Sequence, residues 1–319
     1  MVSICSRPPM GHGMIIVCVL TAVAADKCVV TTEIVDASPQ LTTDCKFSAP
    51  NMVSMDVIDA LLTKISNLEA RLEAVENATN AAPVTPSIAG LRWYSDMSTM
   101  VDGKLRDLSG NGNDAAIVEA GGQTAVYQAN GGVAGGGCYK FPDTGAYVAI
   151  PASSVTLISG NNPRSICFWI KATNLDSQDY TFAFGRDGTH ETFNGRFNSN
   201  GQLGFMGNSN DEFGKYGAKV DTGQWRHVCY VYDGTDLKAI ADGSVSVTWS
   251  KPNLNTRAAS AGGTAAIGRH SGAISGASEL NGVNAAIDEF FIFDRALTTA
   301  DIDILRCHPY DLAGRACPT

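Results

Sequence analysis

The chain is poor in charge and poor in long periodic segments. Only 17% of its 319 residues are Asp, Glu, Lys or Arg, and no basic run occurs. With a net charge of −9, nucleic acid and anionic membrane are excluded as main partners, because both need a concentrated positive face. No apolar run reaches the ~20 residues of a membrane-spanning helix, so no membrane insertion is expected. Catalytic signatures are also missing. There is no His-Glu-x-x-His spacing, no Gly-x-Ser-x-Gly elbow, and no Glu-x-Asp-x-x-Glu strand to set two carboxylates across a glycosidic bond. Of the five His, His190, His227 and His270 fall among strand-like segments, where His227 reads as a half-buried strand residue rather than a base. The expectation is that the protein is not an enzyme.

Glycine is abundant, with 33 residues, and 44% of the chain is hydrophobic. The segment 223–243 (GQWRHVCYVYDGTDLKAIADG) reads as a hairpin. Aromatic and β-branched runs flank Asp233-Gly234, and Asp242-Gly243 turns the chain again, since Gly accepts the positive φ that tight hairpin turns require. Strand candidates of this kind follow one another from residue 91 to 293, separated by turns such as 109–113 (SGNGN) and Asn200-Gly201. Many short strands with such punctuation predict an all-β fold, a two-sheet antiparallel jelly-roll sandwich over 88–306. A short helix is expected over 298–305, with Thr299 as its cap and Ile302 and Leu305 facing inward. Residues 307–319 read as a tail with two cysteines.

The N-terminal quarter differs in character. Residues 14–23 are an apolar segment preceded by Arg7 and His12 and followed by small residues. About ten apolar residues suit the core of a signal peptide, 1–25, and are too few to span a bilayer. The alternative is a retained anchor. Cleavage near Ala24 or Ala25 would remove Cys5 and Cys18 and leave seven of nine cysteines. In an exported, extracellular protein most of these should be disulfide-bonded, and an odd count leaves a free thiol or a bond between chains. Residues 26–52 show no period and read as an irregular segment with Cys28 and Cys45. Residues 53–78 then place Ile58, Leu61, Ile65, Leu68, Leu72 and Val75 at a and d of three heptads. That pattern predicts a short α-helical coiled coil that gathers a homotrimer, the alternative being one amphipathic helix on the body. Asn77-Ala78-Thr79 is a glycosylation acceptor, and the two prolines of 79–87 mark a linker.

Several pieces in order resemble the laminin-G-like jelly roll of the concanavalin A-like superfamily, in the branch that also resembles pentraxins. They are 107–114 (DLSGNGND), 145–151 (GAYVAIP), the cysteine strands 165–170 (SICFWI) and 225–230 (WRHVCY), and the closing 286–297 (AIDEFFIFDRAL). The resemblance implies a bond between Cys167 and Cys229, whose loop of about 60 residues is worth about 4 kcal/mol on the chain-entropy model. It also brings Cys138 near Cys307, with Cys307–Cys317 as the rival pairing. Calcium is common among such domains, and the resemblance carries Asp107 and Asp288 over as oxygen ligands. The other reading is that Asp107 caps its own loop and Asp288 pairs locally. The acidic cluster of pentraxins is not apparent in 267–282.

The polar loops 187–194 and 208–216 follow strands and contain aromatic residues. Asn208, Asn210, Asp211 and Tyr216 could bond sugar hydroxyls and stack on a sugar face. Ordinary solvated loops are the alternative. The function these features lead to is a secreted, oligomeric, non-catalytic recognition or adhesion protein for a glycan or extracellular protein ligand. A structural matrix component is the alternative, and a glycan-cleaving enzyme stands third.

Overall fold

A computed structural model of the chain describes residues 85–319 except 144, 152, 154–155, 157, 176–178, 187, 210–214, 251, 259–260, 262–263, 271–281 and 319. It also describes the backbone of three earlier strands, together with Lys64 and Ser66, which are helical. The chain divides into two units, Met1–Ala82 and Pro83–Thr319, at the expected linker. In the first, β1 (Cys18–Val23), β2 (Asp26–Val35) and β3 (Ser38–Cys45) form an antiparallel sheet in that order. This corrects the irregular reading of 26–52. The β-branched run from Val29 to Val35 favours a strand, and Cys28 stands directly opposite Cys45. The heptad residues Ile58, Leu61, Ile65, Leu68, Leu72 and Val75, and Asn77, lie outside the described residues.

The second unit is a two-sheet antiparallel sandwich. Its strands are β4 (Leu91–Ser95), β5 (Met100–Val101), β6 (Lys104–Leu105), β7 (Ala116–Val118), β8 (Val126–Gln128), β9 (Cys138–Lys140) and β10 (Tyr147–Ala149). They continue with β11 (Arg164–Ala172), β12 (Tyr180–Gly185), β13 (Thr192–Phe197), β14 (Leu203–Met206) and β15 (Arg226–Tyr232). The last are β16 (Asp236–Ala241), β17 (Ser244–Ser250), β18 (Thr264–Ile267) and β19 (Ala285–Phe293). One sheet has six strands in the order β14-β13-β12-β18-β10-β7. The other has eight, β17-β16-β15-β11-β19-β9-β8, with β4 also on β19. Neighbours far apart in sequence, such as β11 between β15 and β19, are the jelly-roll path.

Strand alternation explains the core. Ile166, Phe168 and Ile170 of β11 point between the sheets, where they meet Phe182, Phe193, Tyr230 and Phe290. Phe182 lies within 6.4 Å, centroid to centroid, of five other rings. Arg164 is also buried, sandwiched 5.3 and 5.4 Å from the rings of Phe193 and Tyr232, and it bonds Thr256 Oγ1 and two carbonyls. Burial drops its pKa to about 9. Such a cation is tolerated because every arm is met by an oxygen or a ring face.

The alternate residues face the other way. Cys167, Cys229, Phe291 and Phe293 form a second cluster beneath α1 (Thr299–Leu312). Thr298, not Thr299, is the N-cap, and it exchanges bonds with Asp301 in a capping box. The Arg295 guanidinium, bonded to Asp301, holds that carboxyl down to about 2. Ile302 and Leu305 are buried as expected, but α1 runs seven residues past the expected end and takes in Pro309 and half of the predicted tail. Cys167 is bonded to Cys229 between adjacent strands, as the resemblance implies. The pairing of Cys138 with Cys307 is corrected: Cys307 is bonded to Cys317, and Cys138 is free and buried. The C-terminal end of α1 carries Cys307 only ten residues from Cys317, a short loop that closes readily.

Candidate functional site

Two loops singled out in the sequence meet at one rim of the six-stranded sheet. The β12–β13 loop and the segment after β14 are joined by a bond from His190 N to Asn208 O at 2.8 Å. A third segment, before β18, joins them: Asn255 N donates to His190 O at 2.9 Å, and Asn253 Nδ2 lies 3.4 Å from His190 Nδ1. Four non-glycine residues here are left-handed: His190 (φ 65°), Asn208 (φ 60°), Ser209 (φ 79°) and Asn253 (φ 52°). Such backbone costs of order 1–3 kcal/mol per residue and gathers at functional sites. It persists because the rim is clamped from behind. Arg257 holds Glu191 through two 2.7 Å bonds, Nε to Oε2 and Nη2 to Oε1, and Arg257 N donates to Glu191 O.

From this rim the outer face of the sheet carries Thr192, Asn194 and Arg196 on β13, with Met206 opposite Asn194 and Gly204 opposite Arg196. A side chain on Gly204 would lie 3.2 Å from the Tyr216 ring, so the glycine gives that ring its place beside Arg196. Farther along, Tyr180 packs 4.6 Å from the His270 ring, and Arg269 lies 5.1 Å over Tyr147. Amides, an imidazole and a carboxylate at the rim are groups that bond hydroxyls, and the rings lie farther along the same face of the sheet. Of the expected ligand residues, Asn208 and Tyr216 lie here, whereas Asn210 and Asp211 lie outside the described residues. His190, Ser209 and Asn253 were not foreseen. Only the Asn residues carried a signal, their tolerance of left-handed backbone.

The two expected metal ligands do not form such a site. Asp107 Oδ1 accepts from Tyr94 N, Ser109 N and Ser109 Oγ, and Oδ2 accepts from Asn113 N. Asp288 Oδ2 accepts from Val133 N and Oδ1 from Glu289 N. Both are surrounded by donors, which suits a loop cap and does not suit calcium. Among the described residues no group of three His, Cys, Asp or Glu side chains is arranged to hold a metal ion.

Asp288 instead belongs to a closed cluster under α1. Asp288 pairs with Trp169, and a bulge then sets Glu289 and Phe290 together opposite Phe168, with Glu289 at φ 48°. Glu289 Oε2 accepts from Tyr94 Oη at 2.8 Å, and that hydroxyl lies 3.2 Å from His308 Nε2. Burial, then Asp288, pushes the Glu289 carboxyl well above the usual range, and burial raises Asp288 as well. Burial lowers His308. In all three groups burial favours the neutral form.

With this geometry in view, the sequence model described as the concanavalin A-like lectin/glucanases superfamily matches residues 142–303, half of the chain. The chain belongs to that superfamily. No curated protein sequence matches it. Its jelly roll is similar in fold to domain 4 of AbnA, a GH43 extracellular arabinanase from Geobacillus stearothermophilus, in complex with arabinotriose. That match has 21% identity and a TM-score of 0.49, covering 67% of this chain and 97% of that one. A Trypanosoma rangeli sialidase in complex with 2,3-difluorosialic acid matches with 12% identity and a TM-score of 0.51 over 93% of this chain. The chain spans 45% of the sialidase's length. These likenesses are of fold. The sialidase likeness nevertheless corrects the expectation of a non-catalytic recognition or adhesion protein, because the fold is one that a glycan-processing enzyme carries. The expectation that the protein is not an enzyme is withdrawn with it.

Proposed function

We propose that this protein acts in glycan cleavage, with the rim around His190 as the place that seats the saccharide. The observation that carries this reading is the convergence of His190, Asn208, Ser209 and Asn253, all left-handed, on one hydrogen-bonded edge. Strain held in place by a clamp such as Arg257–Glu191 presents fixed donors and acceptors, which lowers the ordering cost of binding a flexible sugar. Glu191 is the carboxylate of this rim, kept in one orientation by its two bonds to Arg257. Superfamily membership and the sialidase fold support glycans as the substrate class.

The setting we propose is outside the cell. Two disulfides favour an oxidising compartment, and among the described residues no helix is long and apolar enough to cross a membrane. Association through the heptads at 53–78 would multiply weak contacts on a polymeric glycan.

The test incubates the full chain and its His190→Ala and Asn253→Ala variants with sialylated and neutral oligosaccharides. Released reducing ends and retention on the immobilised glycans are both measured. Turnover that falls at least about tenfold in the folded variants supports the rim as a reacting site, that factor being 1.4 kcal/mol of lost interaction. Retention without turnover, lost in the variants, supports seating of the glycan for cleavage by a partner enzyme. Neither turnover nor retention on any glycan overturns the reading.

A further inference from the structure

Cys138 follows a glycine-rich turn, residues 131–137 (GGVAGGG), in which Ala134 and Gly135 are left-handed (φ 55° and 90°). The turn is too rich in glycine to hold its own shape, since such residues lose the most freedom on ordering. Two anchors from elsewhere hold it. Asp288 Oδ2 accepts from Val133 N at 2.8 Å on one side, and Arg315 Nη1 donates to Ala134 O at 2.8 Å on the other. Packing around the turn is close: a side chain on Gly132 would lie 2.6 Å from Asp288 Oδ2, and one on Gly131 would lie 3.2 Å from Cys138 Sγ. Cys138 itself is fully buried.

We propose that the C-terminal loop closed by Cys307–Cys317 is a redox-released latch that keeps the Cys138 thiol sealed. Arg315 sits inside that loop, two residues before Cys317. The two disulfides of this unit differ in access. Cys167 and Cys229 are fully buried, whereas Cys307 and Cys317 are half-buried beside an exposed stretch, 311–316. A small dithiol therefore reaches one bond and not the other. It delivers two electrons and two protons to the Cys307–Cys317 bond, which ends as two thiols while the dithiol ends as a cyclic disulfide. Backbone bonds from Ala313, Gly314 and Arg315 to the last turn of α1, and a bond from Arg306 Nη1 to Pro318 O, then hold the loop without its covalent tie. With the far end loose, the Arg315 arm leaves Ala134 O, and the glycine turn opens over Cys138. In the sealed state the thiol is inert, because burial and Asp288 push it up to about 12. Once wetted it becomes an ordinary reactive thiol, open to alkylation.

The experiment alkylates the native full chain with a maleimide, before and after brief treatment with limiting dithiothreitol, and maps labelled peptides by mass. Labelling of Cys138 is expected to rise about tenfold or more once Cys307–Cys317 opens, with Cys167–Cys229 intact, because modification of a buried thiol follows the population of its open form. Arg315→Ala should speed Cys138 labelling without any reductant, and Cys138→Ser confirms the peptide assignment. Equal labelling before and after opening of Cys307–Cys317 overturns the latch, as does an Arg315→Ala protein that labels like the wild type.

Discussion

Tyr94 Oη donates to Glu289 Oε2 at 2.8 Å and lies 3.2 Å from His308 Nε2, so one hydroxyl joins the first strand of the sandwich, the last strand and α1. The Glu289 proton is kept in the fold by burial and by Asp288. Keeping it costs more as pH rises. The contribution of Glu289 is fully present below its ordinary value of 4.5 and is lost as pH rises through the higher folded value. Glu289→Gln needs no proton. Its melting temperature relative to wild type should climb from about pH 4 to about pH 8, at up to 1.4 kcal/mol of relative stability per pH unit. A difference that does not change with pH would contradict the cluster's role.

His227 gives the opposite slope. Its ring is fully buried 5.3 Å from Trp169, neither nitrogen has a hydrogen-bond partner, and burial, with Arg306, lowers its pKa to about 3. A base with a lowered pKa contributes stability above 6.5 that is lost as pH falls through the folded value. The shift of about 3.5 units is worth roughly 5 kcal/mol when the loss is complete. His227→Met should therefore be more stable than wild type at acid pH, measured by urea unfolding at about pH 4 and pH 7.

Phe182 is the aromatic hub between the sheets, with Phe168, Phe184, Phe193, Tyr230 and Phe290 around it. Phe182→Ala should cost about 3–5 kcal/mol, the range for emptying an aromatic site that cannot collapse. Denaturant unfolding should show the loss as a lower midpoint at an unchanged slope.

Ser209 at φ 79° is strained without the excuse of an Asn side chain. Ser209→Gly should raise stability by roughly 1 kcal/mol, while Ser209→Val should lower it by more, because a β-branched residue resists left-handed backbone. Calorimetry on the two variants separates them.

The hairpin was plain in the sequence. Asp242 and Gly243 both take positive φ (47° and 81°), as a tight turn requires, and β15, β16 and β17 flank the two expected turns at Asp233-Gly234 and Asp242-Gly243. The apolar run 165–170 stood out as a strand as well, and it is buried throughout. Strand order could not, because nothing local in 91–95 says that it will pair with 285–293. The cysteine partners beyond Cys167 and Cys229 depended on where α1 ends, and it runs past the expected end at 305 to Leu312. The site was half legible. Loops at 187–194 and 208–216 stood out by composition, but left-handed backbone at His190 and Ser209 is imposed by the clamp behind them and leaves no trace in residue type.

The pairing of β4 with β19 sets Trp93 opposite Ile292. A ribosome adding 5–20 residues per second needs roughly 10–40 s to make the intervening 200 or so residues. Throughout that interval the first strand of the sandwich has no mate. The domain therefore cannot finish its larger sheet until residue 293 has emerged, and a nascent chain stalled before residue 285 leaves Trp93 and Tyr94 exposed to chaperones. Closing this sheet joins strands from the two ends of the domain, a step made slow by its long-range pairing.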